Sequence, residues 1–189
     1  MSRWKPEARV RLEQAALELY GERGFEQTTV AEIAQRAGLT ERTFFRHFTD
    51  KREVLFGGAG VLNEFLMSSV ADAPLSLAPI DTIGTALESV GAHLEQRRNT
   101  ARLRQNIINA NGELQERELI KRASMASALA VALGRRGVGE PIASLTAEAG
   151  IAAFKIAFSI WISDSNQADL PQIIRQSFVD LKTVTAGGK

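Results

Sequence analysis

Apolar residues recur along this chain at the three- and four-residue spacing of amphipathic helices. The first such stretch places five side chains on one helical face: Leu12, Ala15, Ala16, Leu19 and Tyr20. Proline at position 6 suits a first helical turn, where its missing N–H is harmless. Alternating strand patterns joined by turn dipeptides are missing from the sequence. The pattern therefore predicts an all-α protein whose first helix runs from about Pro6 to Glu22.

Clusters of glycine, proline, asparagine and aspartate divide the rest of the chain into further helices. Their predicted bounds are Val30–Ala37, Glu41–Phe48, Lys51 to about Ala71, Ile80–Arg98, Thr100–Ala110, Glu113–Arg136, Ile142–Ser163 and Leu170–Thr185. Three glycines, Gly57, Gly58 and Gly60, fall inside the helix that begins at Lys51. Each glycine costs about 1 kcal/mol relative to alanine in a helix interior. The segment Gly57–Gly60 therefore marks either a hinge or a simple break.

Two short helices with a tight turn between them are predicted from Thr28 to Leu55. Thr29 and Glu32 have the spacing of a capping box at the start of the first helix. Gly38 can adopt the left-handed conformation that a sharp turn requires, and Thr40 can cap the second helix. This arrangement is a helix-turn-helix.

The second of these helices has one apolar and one polar face. Phe44 and Phe48, four residues apart, would bury one side of it. The opposite side carries guanidinium, hydroxyl and aromatic groups on Thr40, Glu41, Arg42, Thr43, Phe45, Arg46 and His47. A narrow, rigidly mounted helix of this kind can enter the major groove of DNA.

Composition and charge set limits on the function. The 189 residues carry a net charge of +1, so any binding to nucleic acid must come from local placement of charge. Cysteine is absent, which excludes disulfides and thiolate chemistry and fits a reducing cytoplasm. We expect no membrane-spanning run and no signal peptide. With two histidines, His47 and His93, and no HExxH, GxSxG or phosphate-cradling loop, we expect neither an enzyme nor a cofactor or metal site.

The run Phe45-Arg46-His47-Phe48, followed by Asp50-Lys51, resembles the end of the recognition helix in TetR-family transcriptional regulators. In that family a Tyr-x-His-Phe pattern precedes a Ser/Asp-Lys pair. The resemblance covers about residues 10–56, and Arg102–Gly137 is more weakly similar to a common actinobacterial subgroup. It implies a three-helix DNA-binding head at residues 1–50. Residues 51–189 would then form a helical body for ligand binding and dimerisation.

The family resemblance also implies which residues meet DNA: Thr28, Thr29, Thr40, Arg42, Thr43, Phe45, Arg46, His47 and Lys51. Thr28 and Thr29 would offer hydroxyl and backbone N–H groups to a phosphate at a helix N-terminus. Lys51 would meet another phosphate. Phe45 stands where the family usually has tyrosine, so it lacks the hydroxyl that often reaches a phosphate. Arg3 and Trp4 would form either a minor-groove arm or part of a disordered tail.

A two-fold interface and a ligand cavity are further implications of the resemblance. The interface would be a four-helix bundle built from the last two helices of each chain, with Ile151, Phe154, Ile174, Phe178 and Leu181. The cavity would be mainly apolar, with Phe65, Leu66, Leu87, Ile107, Asn111, Phe154, Phe158 and Trp161 as candidate lining residues.

The sequence thus predicts a homodimeric cytoplasmic repressor that a small, largely apolar molecule releases from a palindromic DNA operator. One alternative stays open. The same head could serve a nucleoid or adaptor protein that binds DNA without a ligand switch.

Overall fold

A computed structural model of the chain describes residues 5–187, which form helices and contain no strand. The ten α-helices of this range are α1 (Lys5–Arg23), α2 (Val30–Arg36), α3 (Glu41–His47), α4 (Glu53–Phe56), α5 (Ala59–Asp72), α6 (Pro79–Leu94), α7 (Arg98–Asn109), α8 (Gly112–Arg135), α9 (Ile142–Trp161) and α10 (Leu170–Thr185). A 3₁₀ turn, Glu95–Arg97, joins α6 to α7. The predicted all-α class is confirmed, and Arg3 and Trp4 lie outside the described residues.

The predicted helix from Lys51 to Ala71 is wrong. Gly57 ends α4 with a ψ of 140°, and Gly58 follows with a φ of +89°, so α5 starts afresh at Ala59. A φ in this range carries no steric cost for glycine, because glycine has no Cβ. Gly57–Gly60 therefore contains a break, and its function as a hinge stays a prediction.

The chain forms two compact units. The head unit comprises the residues up to Gly58 together with Leu103–Glu118, and the body unit comprises Ala59–Arg102 and the residues from Leu119 onward. Helices α7 and α8 are each shared between the two units. This division differs from a boundary at residue 50, because α4 and the segment Leu103–Glu118 contribute to the head core.

The head core is built by one face of α1 and the inner sides of α2 and α3. Leu12 and Leu19 of α1 are fully buried, as are Ile33 of α2 and Phe44 of α3. Ile107, Ile108 and Leu114 complete the same cluster from α7 and α8. The turn between α2 and α3 is made at Gly38, whose φ is +64°.

The body core depends on close approach of α6, α9 and α10. A Cβ built on Gly91 of α6 would lie 2.8 Å from Ile174 Cδ1, and one on Gly84 would lie 3.2 Å from Phe178 Cδ1. A Cβ on Gly150 of α9 would meet Ile83 Cγ2 at 2.4 Å. Glycines at these helix positions are thus required by packing.

By length and composition alone, two segments could cross a membrane: Glu53–Asp72 and Ile142–Trp161. The first is interrupted at Gly57 and Gly58. The second is α9, which buries one side in the body core. Glu53–Asp72 is therefore not one continuous helix, and packing in the body core accounts for the apolar composition of α9.

Replacement of Gly150 by alanine should destabilise the body. The added methyl would overlap Ile83, and overpacking of this kind costs about 1–3 kcal/mol. Gly134→Ala in α8 is the matched control, because a Cβ there meets open space; it should gain about 0.5–1 kcal/mol. Urea unfolding of both variants measures the difference. Equal effects of the two substitutions would contradict the packing described here.

Candidate nucleic-acid interface

Helix α3 is fixed at its start and along its inner side. Thr40 is the N-cap, and its Oγ1 accepts from the Thr43 backbone N–H at 3.2 Å. Phe44 and Phe48 are buried, with their ring centroids 5.3 Å apart. The Arg9 guanidinium lies 4.8 Å from the centroid of the Phe48 ring. The caps and anchors inferred from the sequence are therefore present.

The outer side of α3 is open to solvent. Phe45 is 55% exposed and meets Phe44 edge to face at 5.5 Å. Arg42 and Arg46 are also exposed, and no hydrogen bond or ion pair holds either guanidinium within the part of the chain that the structure describes. His47 is half-buried beside Phe48, with 6.4 Å between ring centroids. Two cations and an aromatic plane are thus presented together on one short helix.

The start of α2 carries the complete capping box that the sequence predicts. Thr29 Oγ1 accepts from the Glu32 backbone N–H at 3.2 Å, and a carboxylate oxygen of Glu32 accepts from the Thr29 N–H at 2.9 Å. The Thr29 N–H and the Thr29 hydroxyl both donate to the Glu32 carboxylate, each at 2.9 Å, and these two hydrogen bonds, together with Arg23, lower the pKa of Glu32. The Thr29 N–H therefore already donates to Glu32. A phosphate could accept from this N–H only by displacing the Glu32 carboxylate.

Thr28 does not match its predicted role. Its side chain is buried, at 1% exposure, and its hydroxyl donates to the Gly24 carbonyl oxygen at 2.9 Å. The expectation that Thr28 offers a hydroxyl to a phosphate is corrected accordingly, because this group is enclosed and already donates.

Lys51 also differs from its predicted role. Its Nζ points at carbonyl oxygens of the turn between α1 and α2, belonging to Phe25, Glu26 and Thr28. The hydroxyl of Tyr20 donates to the Lys51 backbone carbonyl at 2.6 Å. The sequence analysis placed Tyr20 only in the apolar stripe of α1. A buried tyrosine hydroxyl needs a hydrogen-bond partner. The tyrosine in this apolar stripe was therefore the feature of the sequence that indicated a polar contact from α1.

Two arginines of Leu103–Glu118 hold α4 in the head unit. Arg104 donates to the Leu55 carbonyl oxygen and to the Glu118 carboxylate, both at 2.7 Å. Arg117 donates to Glu53 at 2.9 Å. Their guanidinium carbons lie 5.0 and 5.8 Å from the centroid of the buried Phe56 ring. Charge and cation–π contacts therefore reinforce the apolar packing of this segment.

The residues predicted to line a ligand cavity are divided between the two units. Ile107 and Asn111 belong to the head unit, where Asn111 donates to Glu26 and accepts from the Leu114 N–H. The other six are in the body unit, three of them fully buried and three partly buried against the core: Leu66, Leu87, Trp161, Phe65, Phe154 and Phe158. The Trp161 indole donates to Glu95 at 3.3 Å.

Two surface cavities of about 360 Å³ each lie elsewhere. One, in the body unit, is lined by Met67, Ala71, Leu75, Ala132, Arg135 and Arg136. The other, in the head unit, is lined by Arg11, Gln14, Ala15, Glu18, Gln35, Arg36, Ala37 and Gly38. Neither surface cavity includes a residue that was predicted to line the ligand cavity. The ligand cavity itself stays a prediction.

Three residues predicted for the dimer interface are buried within their own chain. Ile151, Ile174 and Phe178 belong to the body core. Phe154 and Leu181 are half-buried against the same core. The first three cannot form a surface for a second subunit, because side chains of the same chain already cover them.

Clusters of three or more histidine, aspartate or glutamate side chains suited to a metal ion do not occur among residues 5–187.

Loss of the α3 cap should destabilise the head. Thr40→Ala removes the acceptor for the Thr43 N–H, and loss of an N-cap costs about 1 kcal/mol in the free energy of unfolding. Thr49→Ala is the matched control, since Thr49 is exposed just beyond α3, and it should change stability by no more than about 0.5 kcal/mol. Chemical denaturation of the two variants tests this, and equal losses would argue against the cap.

Comparison with known proteins matches residues 13–56 to the bacterial regulatory proteins of the tetR family. The HTH-type transcriptional regulator TcmR of Streptomyces glaucescens is 34% identical over 82 residues, which are 43% of this chain. The match covers 36% of TcmR, so it spans well under half the length of that curated relative.

Solved structures extend the similarity of fold over nearly the whole chain. The TetR-family regulator PfmR from Thermus thermophilus superposes with a TM-score of 0.55 at 22% identity, covering 90% of this chain and 96% of PfmR. FadR from Bacillus subtilis, solved in complex with stearoyl-CoA, gives a TM-score of 0.65 at 19% identity, with coverages of 91% and 96%. The head segment thus matches the tetR family over residues 13–56, and nearly the whole chain shares its all-helical fold with PfmR and FadR.

Proposed function

We propose that this chain is a homodimeric, ligand-responsive transcriptional regulator that binds a palindromic DNA operator in the cytoplasm. We assign it the role of a repressor that a small, largely apolar molecule releases from the operator. No catalytic role is proposed for any residue.

The observation that carries the proposal is the outer face of α3. Arg42 and Arg46 project from a helix whose inner face is locked by Phe44 and Phe48. Arginine reads guanine through paired donors in the major groove, and the rigid mounting limits the entropy lost on binding. Phe45 supplies an apolar surface suited to a thymine methyl group.

A second copy of the chain is part of the proposal for two reasons. One α3 helix has seven residues and reads few bases. Two copies about 34 Å apart meet successive major grooves on one face of DNA. Their linked binding raises the effective concentration of the second head.

The surface that supports dimerisation is an exposed apolar stripe on α9. It consists of Leu145, Ala152, Ile156 and Ile160, on the side opposite the residues that face the body core. Val179 of α10 is also exposed. These positions replace Ile151, Ile174 and Phe178 as our choice for the interface. A contiguous apolar stripe of this kind is a common feature of subunit contacts.

A route from effector to DNA is suggested by the helices that the two units share. Arg104 of α7 donates a hydrogen bond to Leu55, and Arg117 of α8 donates one to Glu53, both in the segment that follows α3. Both helices continue into the body unit. We propose that an effector bound in the body acts on the head along these helices. Linkage then requires that operator and effector weaken each other's binding reciprocally.

The chemistry of the effector is proposed by analogy alone. FadR of B. subtilis was solved with stearoyl-CoA, and fatty-acyl groups fit the largely apolar effector inferred from the sequence. Isothermal titration with an acyl-CoA series, in the presence and absence of operator DNA, tests this part separately from DNA binding.

Selection of bound duplexes from a random DNA pool tests the proposed DNA binding. The wild-type chain should enrich one inverted repeat. Arg46→Ala should weaken binding to that repeat by about 1–3 kcal/mol if Arg46 reads a base, as measured by fluorescence anisotropy. Arg97→Ala, at an exposed arginine of the body unit, is the matched control and should bind like wild type. Uniform coating of any duplex would instead favour a nucleoid or adaptor protein.

Ile156→Glu should prevent dimerisation while leaving the fold intact. Ile156 is 57% exposed on α9, so a charge there costs little in the monomer and is repelled by its copy across a two-fold axis. Leu119→Glu on α8, where the residue is 60% exposed, is the control. Sedimentation velocity should give a monomer for the first variant and a dimer for the second. A dimeric Ile156→Glu variant with unchanged operator affinity would show that the interface lies elsewhere.

A further inference from the structure

The ammonium group of Lys51 is fully occupied inside the head. Its Nζ lies 2.9 Å from the Phe25 carbonyl oxygen, 3.3 Å from that of Glu26 and 3.1 Å from that of Thr28. An ammonium group has three N–H donors, so these three carbonyls use all of them. A phosphate could bind Lys51 only by displacing one of these acceptors.

The surroundings of the ammonium suit a fixed cation. Nζ lies 4.4 Å from the centroid of the buried Phe25 ring, within cation–π range. Tyr20 packs edge to face on the same ring, with centroids 5.2 Å apart. The site therefore pairs three carbonyl dipoles and an aromatic face with one positive charge.

Tyr20 holds Lys51 from the other side. Its hydroxyl donates to the Lys51 backbone carbonyl at 2.6 Å. Burial is the main cause that raises the pKa of this hydroxyl, so it stays protonated and remains a donor at any physiological pH. Helix α1 is thus tied to the segment after α3, and the Lys51 side chain ties that segment to the turn before α2.

We propose that Lys51 and Tyr20 are positioning residues for DNA binding, which clamp the end of the recognition helix to the start of α2, and that Lys51 does not contact a phosphate. This inference rests on the proposed DNA-binding function. It departs from the role that the family resemblance implies for Lys51. Its consequence is that the Thr29 end of α2 and the exposed face of α3 keep a fixed mutual position.

The test compares operator binding by full-length Lys51→Met, Lys51→Arg and Tyr20→Phe, using the inverted repeat recovered by selection and a range of salt concentrations. Lys51→Met should lose about tenfold in affinity through the lost hydrogen bonds, with an unchanged slope of log affinity against log salt. Lys51→Arg should not restore affinity, because a planar guanidinium cannot aim its donors at three converging carbonyls. Tyr20→Phe should lose about threefold, again with an unchanged slope.

A phosphate contact gives a different result. Lys51→Met would then lower the slope by about 0.9, the value for one phosphate. Lys51→Arg would restore both affinity and slope, since arginine binds phosphate at least as well as lysine does. Either of these two results would overturn the clamp.

Amide hydrogen exchange keeps the clamp testable if DNA binding itself is absent. Lys51→Met should speed exchange at Thr28–Ile33 by about tenfold while leaving α9 unchanged. Unchanged exchange at Thr28–Ile33 would overturn the clamp. A wild-type chain that enriches no DNA sequence would instead refute the proposed function.

Discussion

Helix α3 depends on the burial of two phenylalanines. A helix of seven residues is too short to be stable by itself in water. Full burial of an aromatic side chain contributes about 1.5–3 kcal/mol, and Phe44 and Phe48 place two such side chains in the head core. Phe44 lies on the inner face of α3 and Phe48 directly follows its last residue. With both rings in the head core, Arg42, Phe45 and Arg46 face outward. The same contact thus forms the helix and exposes its functional side.

Local rules account for the parts of the head that the sequence predicted. The Thr29 capping box, the Thr40 cap and the glycine turn at Gly38 depend on neighbours within four residues. Thr28 and Lys51 could not be placed in this way, because their partners are set by how the turn between α1 and α2 packs. Helix α9 posed a related difficulty. It is apolar on several sides, and sequence periodicity does not tell which side faces the core. Close packing of Gly150 against Ile83 of α6 decides that question in the structure.

The chain has a net charge of only +1. Its charges are nevertheless arranged so that cations are exposed together on α3. Arg36 pairs with Glu22 at 2.8 Å, and its side-chain hydrogen bond is the main cause that lowers the pKa of Glu22. Arg23 pairs with Glu32 at 2.6 Å. These pairs neutralise much of the surface of α1 and α2. Over the described part of the head, the exposed face of α3 therefore combines two unpaired guanidinium groups with an aromatic ring.

The discontinuous head has a practical consequence for dissecting the protein. A fragment that ends at Gly58 would lack Ile107, Ile108 and Leu114, which are buried in the head core. It would therefore open an apolar surface to water and invite aggregation. Genetic fusions that transplant only the first residues of this chain would inherit the same defect. Exchange of specificity between relatives is better made at the surface of α3, which leaves that core untouched.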